Sequence, residues 1–501
     1  MDRHGAYRRL EALFRKIGIL GDALSVLHWD MSTMMPDGGA ASRADQIALL
    51  KTMTHELLTA PVVPDLLEAA AAEPLDGWQR ANLREMRREW VHAAALPADL
   101  VEAVAQAEAA CEMAWRQARP NADYALVLPR LREVLTLVRR QAEAKSAALG
   151  VSLYDALLDQ YEPDGRSAEI DRVFADLETF LPGFLAEVLA AQGSLPPPVL
   201  PTGPFPADRQ RAAGLEFMAA LGFDFAHGRL DTSFHPFCGG TPEDVRITTR
   251  YDEADFTSAL MGVVHETGHA LYDFGLPGAP WRGQPVGRAR GMVIHESQSL
   301  LMEMQACRSR DFAGWAAPRL AKTFGSGGPA WTAENLYRLG VRVEPGFIRI
   351  DADEVTYPAH VIIRYRLERA LVEGGLDLAD LPGAWAEGYR RLLGITPPDD
   401  RLGCLQDIHW YGGAWGYFPT YTLGAMAAAQ LFEAACRADP GIPAAIGNGD
   451  FAPLRLWLRT NVHGKGSLLS TRDLLTEATG RPLDPQAFRA HLARRYLAAG
   501  E

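Results

Sequence analysis

Leu10, Leu13, Phe14, Ile17 and Leu24 recur at the three- and four-residue spacing of a helix, with Arg and Glu between them. That stripe predicts an amphipathic helix near the start of the chain. Residues 40–60, 80–120 and 125–160 are rich in Ala and Leu and predict further long helices. The simplest reading of these stripes is core packing. The pattern breaks at 193–206, where six prolines in GSLPPPVLPTGPFP forbid a helix. Apolar Val199, Leu200 and Phe205 predict an extended segment docked on the body rather than a solvated linker. The best strand candidates lie in 229–250, where Val245-Arg246-Ile247-Thr248-Thr249 combines β-branched residues with partial alternation. A helix is expected from about Asp252 to Phe274, closed by Gly275 just past its C-terminus. A loop rich in Gly and Pro then leads to a second helix near Val293. Residues 357–373, 421–436 and the C-terminus are again helical in pattern, and no internal repeat is visible. The elements predict a mainly α fold with a small β element. We read 1–501 as a single domain, with a helical part at 1–192 and the chemistry-bearing part at 207–501.

Composition narrows the function. Of the 501 residues, 48% are apolar, enough for a substantial core, and the formal net charge is −13. An acidic surface repels phosphate backbones, so nucleic acid is not an expected partner. The five cysteines are odd in number and lack CxxC spacing, which argues against a disulfide scaffold and a thiolate zinc site. The start, MDRHGAYRRLEALFRK, carries no apolar stretch of the signal-peptide kind, and no run reaches the length of a membrane span. The default expectation is a cytoplasmic protein without membrane partners.

The chemistry centres on Val264-His265-Glu266-Thr267-Gly268-His269-Ala270. On a helix, His265 and His269 lie one turn apart on one face and can direct two ring nitrogens at one ion. Glu266 directly follows the first of them, so its carboxylate can reach a water on that ion without binding it, as a general base must. Leu260, Met261, Val263, Val264, Ala270 and Leu271 flank the motif, and polar groups placed there without partners carry a desolvation cost. A catalytic site of this type needs a third ligand and an open position. The helix beyond the loop offers Glu296, 27 residues past His269, with Glu303 two turns further as its competitor. Neighbouring His295 suits a role in substrate binding or in support of the ligands. Imidazole and carboxylate ligands point to Zn2+, with Co2+ a workable substitute.

Further motifs give these residues a context. Leu27-His28-Trp29-Asp30 is followed by Thr33-Met34-Met35-Pro36 and Gly38-Gly39-Ala40. Downstream stand His235-Pro236-Phe237 and Asp244-Val245-Arg246-Ile247-Thr248. Ile348-Arg349-Ile350-Asp351-Ala352-Asp353 comes next, then Gly403-Cys404-Leu405-Gln406-Asp407-Ile408-His409-Trp410, and Gly416-Tyr417-Phe418-Pro419-Thr420-Tyr421 closes the set. In this order, with the HExxH and HES elements, they resemble the thermostable carboxypeptidase family of metallopeptidases (family M32, Taq carboxypeptidase type) over almost the whole chain. The resemblance implies a large helical zincin with a long, deep cleft, similar to neurolysin and angiotensin-converting enzyme. It also implies a homodimer, and release of single amino acids from peptide C-termini with broad preference. It supports Glu296 as the third ligand. The chain departs from the family at Tyr357-Pro358-Ala359-His360, where Tyr-Asn-Leu-His is more usual; Pro358 suits a first helical turn, so a changed helix start is expected.

An exopeptidase also needs a cation for the substrate's terminal carboxylate, and the planar fork of Arg serves best. Arg349 is the first candidate, by its place in the IRxxAD element, and Arg246 the second. His409 and Tyr421 are candidate donors to the oxyanion, followed by Tyr417 and His235, which suit substrate binding. Asp407 is a candidate to orient His409. Two other readings share the motif: an endo-acting or dipeptide-releasing metallopeptidase, and a non-catalytic zinc protein that binds peptides.

Overall fold

The structure is a computed structural model that describes residues 5–325 and 327–497. The predicted first helix runs from Ala6 to Thr33, and Leu10, Phe14 and Ile17 are buried along its stripe. With Val63, Leu66, Leu67, Leu83 and Met86 they form a small core of their own. A much larger core joins residues from Ala107 to Leu492 and surrounds the motif-bearing helices. The expected stretch 80–120 divides into helices Gly77–Ala94 and Ala98–Ala118, because Pro97 starts the second. Likewise 125–160 divides into Tyr124–Leu149 and Leu153–Leu158, broken by Gly150 at φ +69°.

Past Gly193, the last residue of the preceding helix, the proline-rich segment carries no helix or strand. Of the three apolar residues expected to dock it, only Phe205 does so, against Phe256, Phe324 and Trp331. Phe205 is buried, whereas Val199 and Leu200 are 49% and 66% exposed. Val199 is held instead through its backbone: its N–H donates to Asn335 Oδ1 and its carbonyl accepts from Asn335 Nδ2, both at 2.8 Å.

The strand region forms a three-stranded sheet, β1 (Gly228–Thr232), β2 (Cys238–Thr241) and β3 (Asp244–Thr249), in the order β1-β3-β2. β1 runs parallel to β3 and β2 antiparallel, with Leu230 opposite Ile247. One face of the sheet buries Leu230, Val245 and Ile247 against Val263 and Ala270 of the metal-motif helix. Beyond the sheet the N-terminal helix docks through Trp29, with Arg246 at 4.4 Å and Arg229 at 5.3 Å from its ring. The LHWD element is thus a packing device that ties the N-terminal helices to the sheet.

The motif helix runs from Phe256 to Gly275. It begins four residues later than expected because Asp255 caps it, accepting from the N–H groups of Thr257 and Ser258. Gly275 is its last residue and not a left-handed cap; Leu276 follows with φ −62°. The glycine is needed for another reason: a Cβ there would lie 2.5 Å from the buried His463 ring. Pro358 stands in the first turn of helix Tyr357–Glu373, as expected. Gly275→Ala is expected to lower stability by about 1–3 kcal/mol through overpacking against His463, read as a shifted midpoint in urea denaturation.

Candidate metal centre

The apolar face of the motif helix, with Leu260, Val263, Val264 and Leu271, faces the core. Its histidines face helix Gly291–Leu300, which carries Glu296. Gly268 sets the approach of the two helices: a Cβ there would lie 2.5 Å from the Gln298 carbonyl oxygen and 2.6 Å from Ser299 Cα. Gly424, on helix Pro419–Ala438, does the same on the other side, where a Cβ would meet Glu296 Cβ at 2.8 Å. The Glu296 helix is thus wedged between two glycines.

One donor atom each of His265, His269 and Glu296 lies within 4.8 Å of the other two, and among the described residues no other cluster of metal-type donors does this. Nε2 of His265 is 4.0 Å and Nε2 of His269 is 3.5 Å from the Glu296 carboxylate. Glu303 does not join them. Its carboxylate stands 2.8 Å from Nδ1 of His265, the nitrogen facing away from Glu296, and pairs with Arg308 at 2.6 Å. It therefore orients the His265 ring and stands outside the donor cluster. Leu301–Ala306 forms a π-helical turn, which ends the α-helix between the two glutamates. Glu266 is 7% exposed and makes no hydrogen bond or ion pair with a described residue. Burial pushes its carboxyl up to about 7, despite the opposing His265.

Charge balance tests whether an ion fits. Arg308 compensates Glu303, which leaves Glu296 and Glu266 as two buried carboxylates without a cation. Burial alone would lower His265, yet the bond to Glu303 and the charges of Glu296 and Glu266 raise it to about 10. Burial alone would raise Glu296, yet His269, His265 and His295 hold it at about 2. Both shifts express one demand for positive charge. Two imidazoles and a carboxylate meet that demand with a divalent ion, which makes the donor set fit such a cation.

A second charged group lies close by. Asp407 accepts from Nε and Nη2 of Arg349 at 3.1 and 2.9 Å, and from Nε of Arg364 at 2.6 Å. Gln406 accepts from the Arg349 N–H and from Nη2 of Arg364. Two arginines share one carboxylate, so the group carries a net positive charge, and Nη1 of Arg349 has no hydrogen bond to a described residue. Tyr421 links the two groups. Arg349 lies 4.6 Å from its ring centroid, and its hydroxyl stands 3.2 Å from Nε2 of His409. Tyr421, Tyr417 and Tyr357 all lie within the electrostatic reach of Glu296.

A model of the carboxypeptidase Taq (M32) metallopeptidase family matches residues 9–496. The chain belongs to the M32 family. A thermostable carboxypeptidase 1 of Thermus thermophilus is 39% identical, with 99% of each chain covered. A carboxypeptidase 1 of Bacillus subtilis is 34% identical over 99% of each. Among solved structures, Trypanosoma cruzi metallocarboxypeptidase 1 superposes with a TM-score of 0.96 at 42% identity, over 98% of this chain and 99% of that one. The protein is therefore a metallocarboxypeptidase, a peptide hydrolase dependent on a divalent metal. No helix among the described residues is long and apolar enough to cross a membrane.

The remaining motif residues of this M32 enzyme fall in different places. Arg246 is held by its own strand neighbour, bonding Asp244 at 2.9 and 2.6 Å while stacking on Trp29. His235 is exposed on a loop beside Phe234. Neither meets the metal cluster by a direct bond. Tyr417 packs edge-on to Tyr421, with ring centroids 5.1 Å apart. Asp407 does not bond His409: they stand 4.0 Å apart, and Nδ1 of His409 is buried without a partner. The segment is a turn rather than a helix, and Asp407 is taken by the arginines. Asp353, last of the IRxxAD element, accepts from the N–H groups of Val355 and Thr356 and supports the helix that follows. Arg364 was not singled out from sequence. Its signal was a lone charge among Val361, Ile362, Ile363 and Tyr365, where burial demands a partner. Glu303→Gln keeps the acceptor for His265 but removes the charge; metal affinity, measured by competition with a chromogenic chelator, is expected to fall roughly tenfold.

Proposed function

We propose that this chain is a zinc carboxypeptidase that releases single residues from the C-termini of peptides with broad preference. The observation that carries this reading is that Tyr421 stacks on Arg349 of the net-positive Arg349–Asp407–Arg364 group and also feels the charge of Glu296 in the His265–His269–Glu296 cluster. A free carboxylate is the ligand such a group suits, because Asp407 fixes the Arg349 guanidinium through Nε and Nη2 while the charge and the Nη1 donors stay available. Zinc held by His265, His269 and Glu296 would supply a Lewis acid at the attacking water and the scissile carbonyl. Glu266 takes the proton of the attacking water on its unbonded carboxylate and returns it to the leaving amine. Burial holds the Tyr421 phenol up at about 12, so it keeps its proton as a donor. His409, kept neutral at about 4 by burial, has Nε2 3.2 Å from the Tyr421 oxygen and donates to it in the tautomer that carries the proton on Nε2. The phenolic hydrogen is then free to meet the oxyanion. Nη1 of Arg349 takes the terminal carboxylate one residue beyond the scissile bond. The reading keeps the homodimer, the long cleft and the cytoplasmic location that the sequence suggests.

Paired substrates test it. A peptide with a free C-terminus is expected to lose residues one at a time, while the same peptide as a C-terminal amide is nearly inert. Cleavage of the amide at internal bonds would show an endopeptidase instead. Arg349→Lys keeps the charge but loses the fork. Its kcat/KM on free-acid peptides is expected to fall roughly ten- to hundredfold with metal content unchanged. Glu266→Gln is expected to keep stoichiometric metal and lose turnover; full turnover would refute Glu266 as the base.

A further inference from the structure

The helix that supplies Glu296 begins without a cap of its own. Its first residue is Gly291, and the preceding Arg290 offers no side-chain acceptor to the free N–H groups of the first turn. Two of those N–H groups are satisfied from 131 residues upstream: Met292 N donates to the Tyr161 carbonyl at 2.7 Å, and Val293 N to Oε2 of Glu162 at 2.9 Å. Glu162 is 4% exposed, and its other oxygen accepts from the Thr471 hydroxyl. Gly291 sits at φ +49°, and a Cβ there would lie 2.5 Å from Oε2 of Glu162, so the glycine admits the carboxylate to the helix end. The ring of Tyr161 packs edge-on to Tyr417, at 5.0 Å between centroids.

We propose that the dipeptide Tyr161–Glu162 is a positioning element of the reaction: it caps the Glu296 helix from outside and so sets where the ligand carboxylate meets the two imidazoles. The carboxylate at a helix N-terminus is also favoured by the helix dipole. Glu162 touches neither substrate nor metal; it acts through the helix. Through Tyr161 the same dipeptide braces Tyr417, so the helical part of the chain before residue 192 positions both the ligand and the tyrosines beside it. The residues of the cap itself, Tyr161 and Glu162, Gly291 to Val293, and Thr471, lie on three separate stretches of chain, which is why no motif marks them. The inference rests on Glu296 being a ligand.

The test measures metal binding on folded apoprotein, apart from turnover. Zinc affinity is read by chelator competition and ligand geometry by the visible absorption of the Co2+-loaded protein. Glu162→Leu removes the cap, and Gly291→Ala displaces it. Glu162→Gln keeps an acceptor for Val293 N and a partner for Thr471. Glu162→Leu and Gly291→Ala are each expected to bind zinc roughly tenfold more weakly, with an altered cobalt spectrum, and Glu162→Gln to stay near the parent in both. If Glu162→Leu does not fold, Gly291→Ala carries the comparison. Parent-like affinity and spectrum in the folded cap variants would overturn the proposal. Glu296→Ala separates the two claims: parent-like zinc binding in that variant would refute the ligand assignment itself, whatever the cap variants show.

Discussion

The catalytic half of the molecule depends on how closely two helices approach each other at Gly268. The backbone of the Glu296 helix fills the space that any side chain at 268 would occupy, and Gly424 closes on it from the opposite face. A carboxylate has a short reach, so Glu296 meets imidazoles on another helix only if the backbones nearly touch. Packing of this density resists small displacements, because interiors transmit strain rather than absorb it. The glycine inside HETGH thus belongs to the chemistry as much as the histidines do, although it bears no functional group.

That close packing creates an electrostatic problem whose solution is the function. Glu266 and Glu296 are buried with the half-buried Glu303 close by, and Arg308 answers only Glu303. Left alone, the site draws a proton onto His265. On the proposed reading a divalent cation would remove the need for that proton and leave the Glu266 carboxylate unbonded. The second group repeats the theme with the opposite sign: Arg349 and Arg364 share Asp407 and retain one positive charge. A peptide C-terminus is an anion next to a polarisable carbonyl, and on the proposed reading the two groups would offer one partner for each.

Local chemistry made much of this legible in the sequence. The stripe of Leu10, Phe14 and Ile17 and the β-branched run at 245–249 formed the elements their periods demanded. The i, i+4 spacing of His265 and His269 placed both on one helix face. What stayed hidden was set by contacts between distant stretches. Glu296 and Glu303 share a face, and only the π turn and Arg308 show that one joins the donors while the other orients His265. Asp407 was read as a partner of His409 from its sequence neighbourhood, but Arg349 and Arg364 claimed it because two buried cations outbid one neutral ring. Val199 and Leu200 looked like docking residues, yet a side-chain amide on Asn335 held the backbone instead. The Tyr161–Glu162 cap joins residues 131 apart and leaves no local pattern at all.

The central claim is that one divalent ion is held by His265, His269 and Glu296. Anomalous diffraction from crystals of the zinc-loaded protein, recorded on both sides of the zinc absorption edge, tests it most directly. The account predicts a single strong peak at about 2.0–2.2 Å from Nε2 of His265, Nε2 of His269 and a Glu296 oxygen, with Glu303 still bonded to Nδ1 of His265. A peak elsewhere, or fully loaded protein in which these three side chains hold no ion, would contradict it.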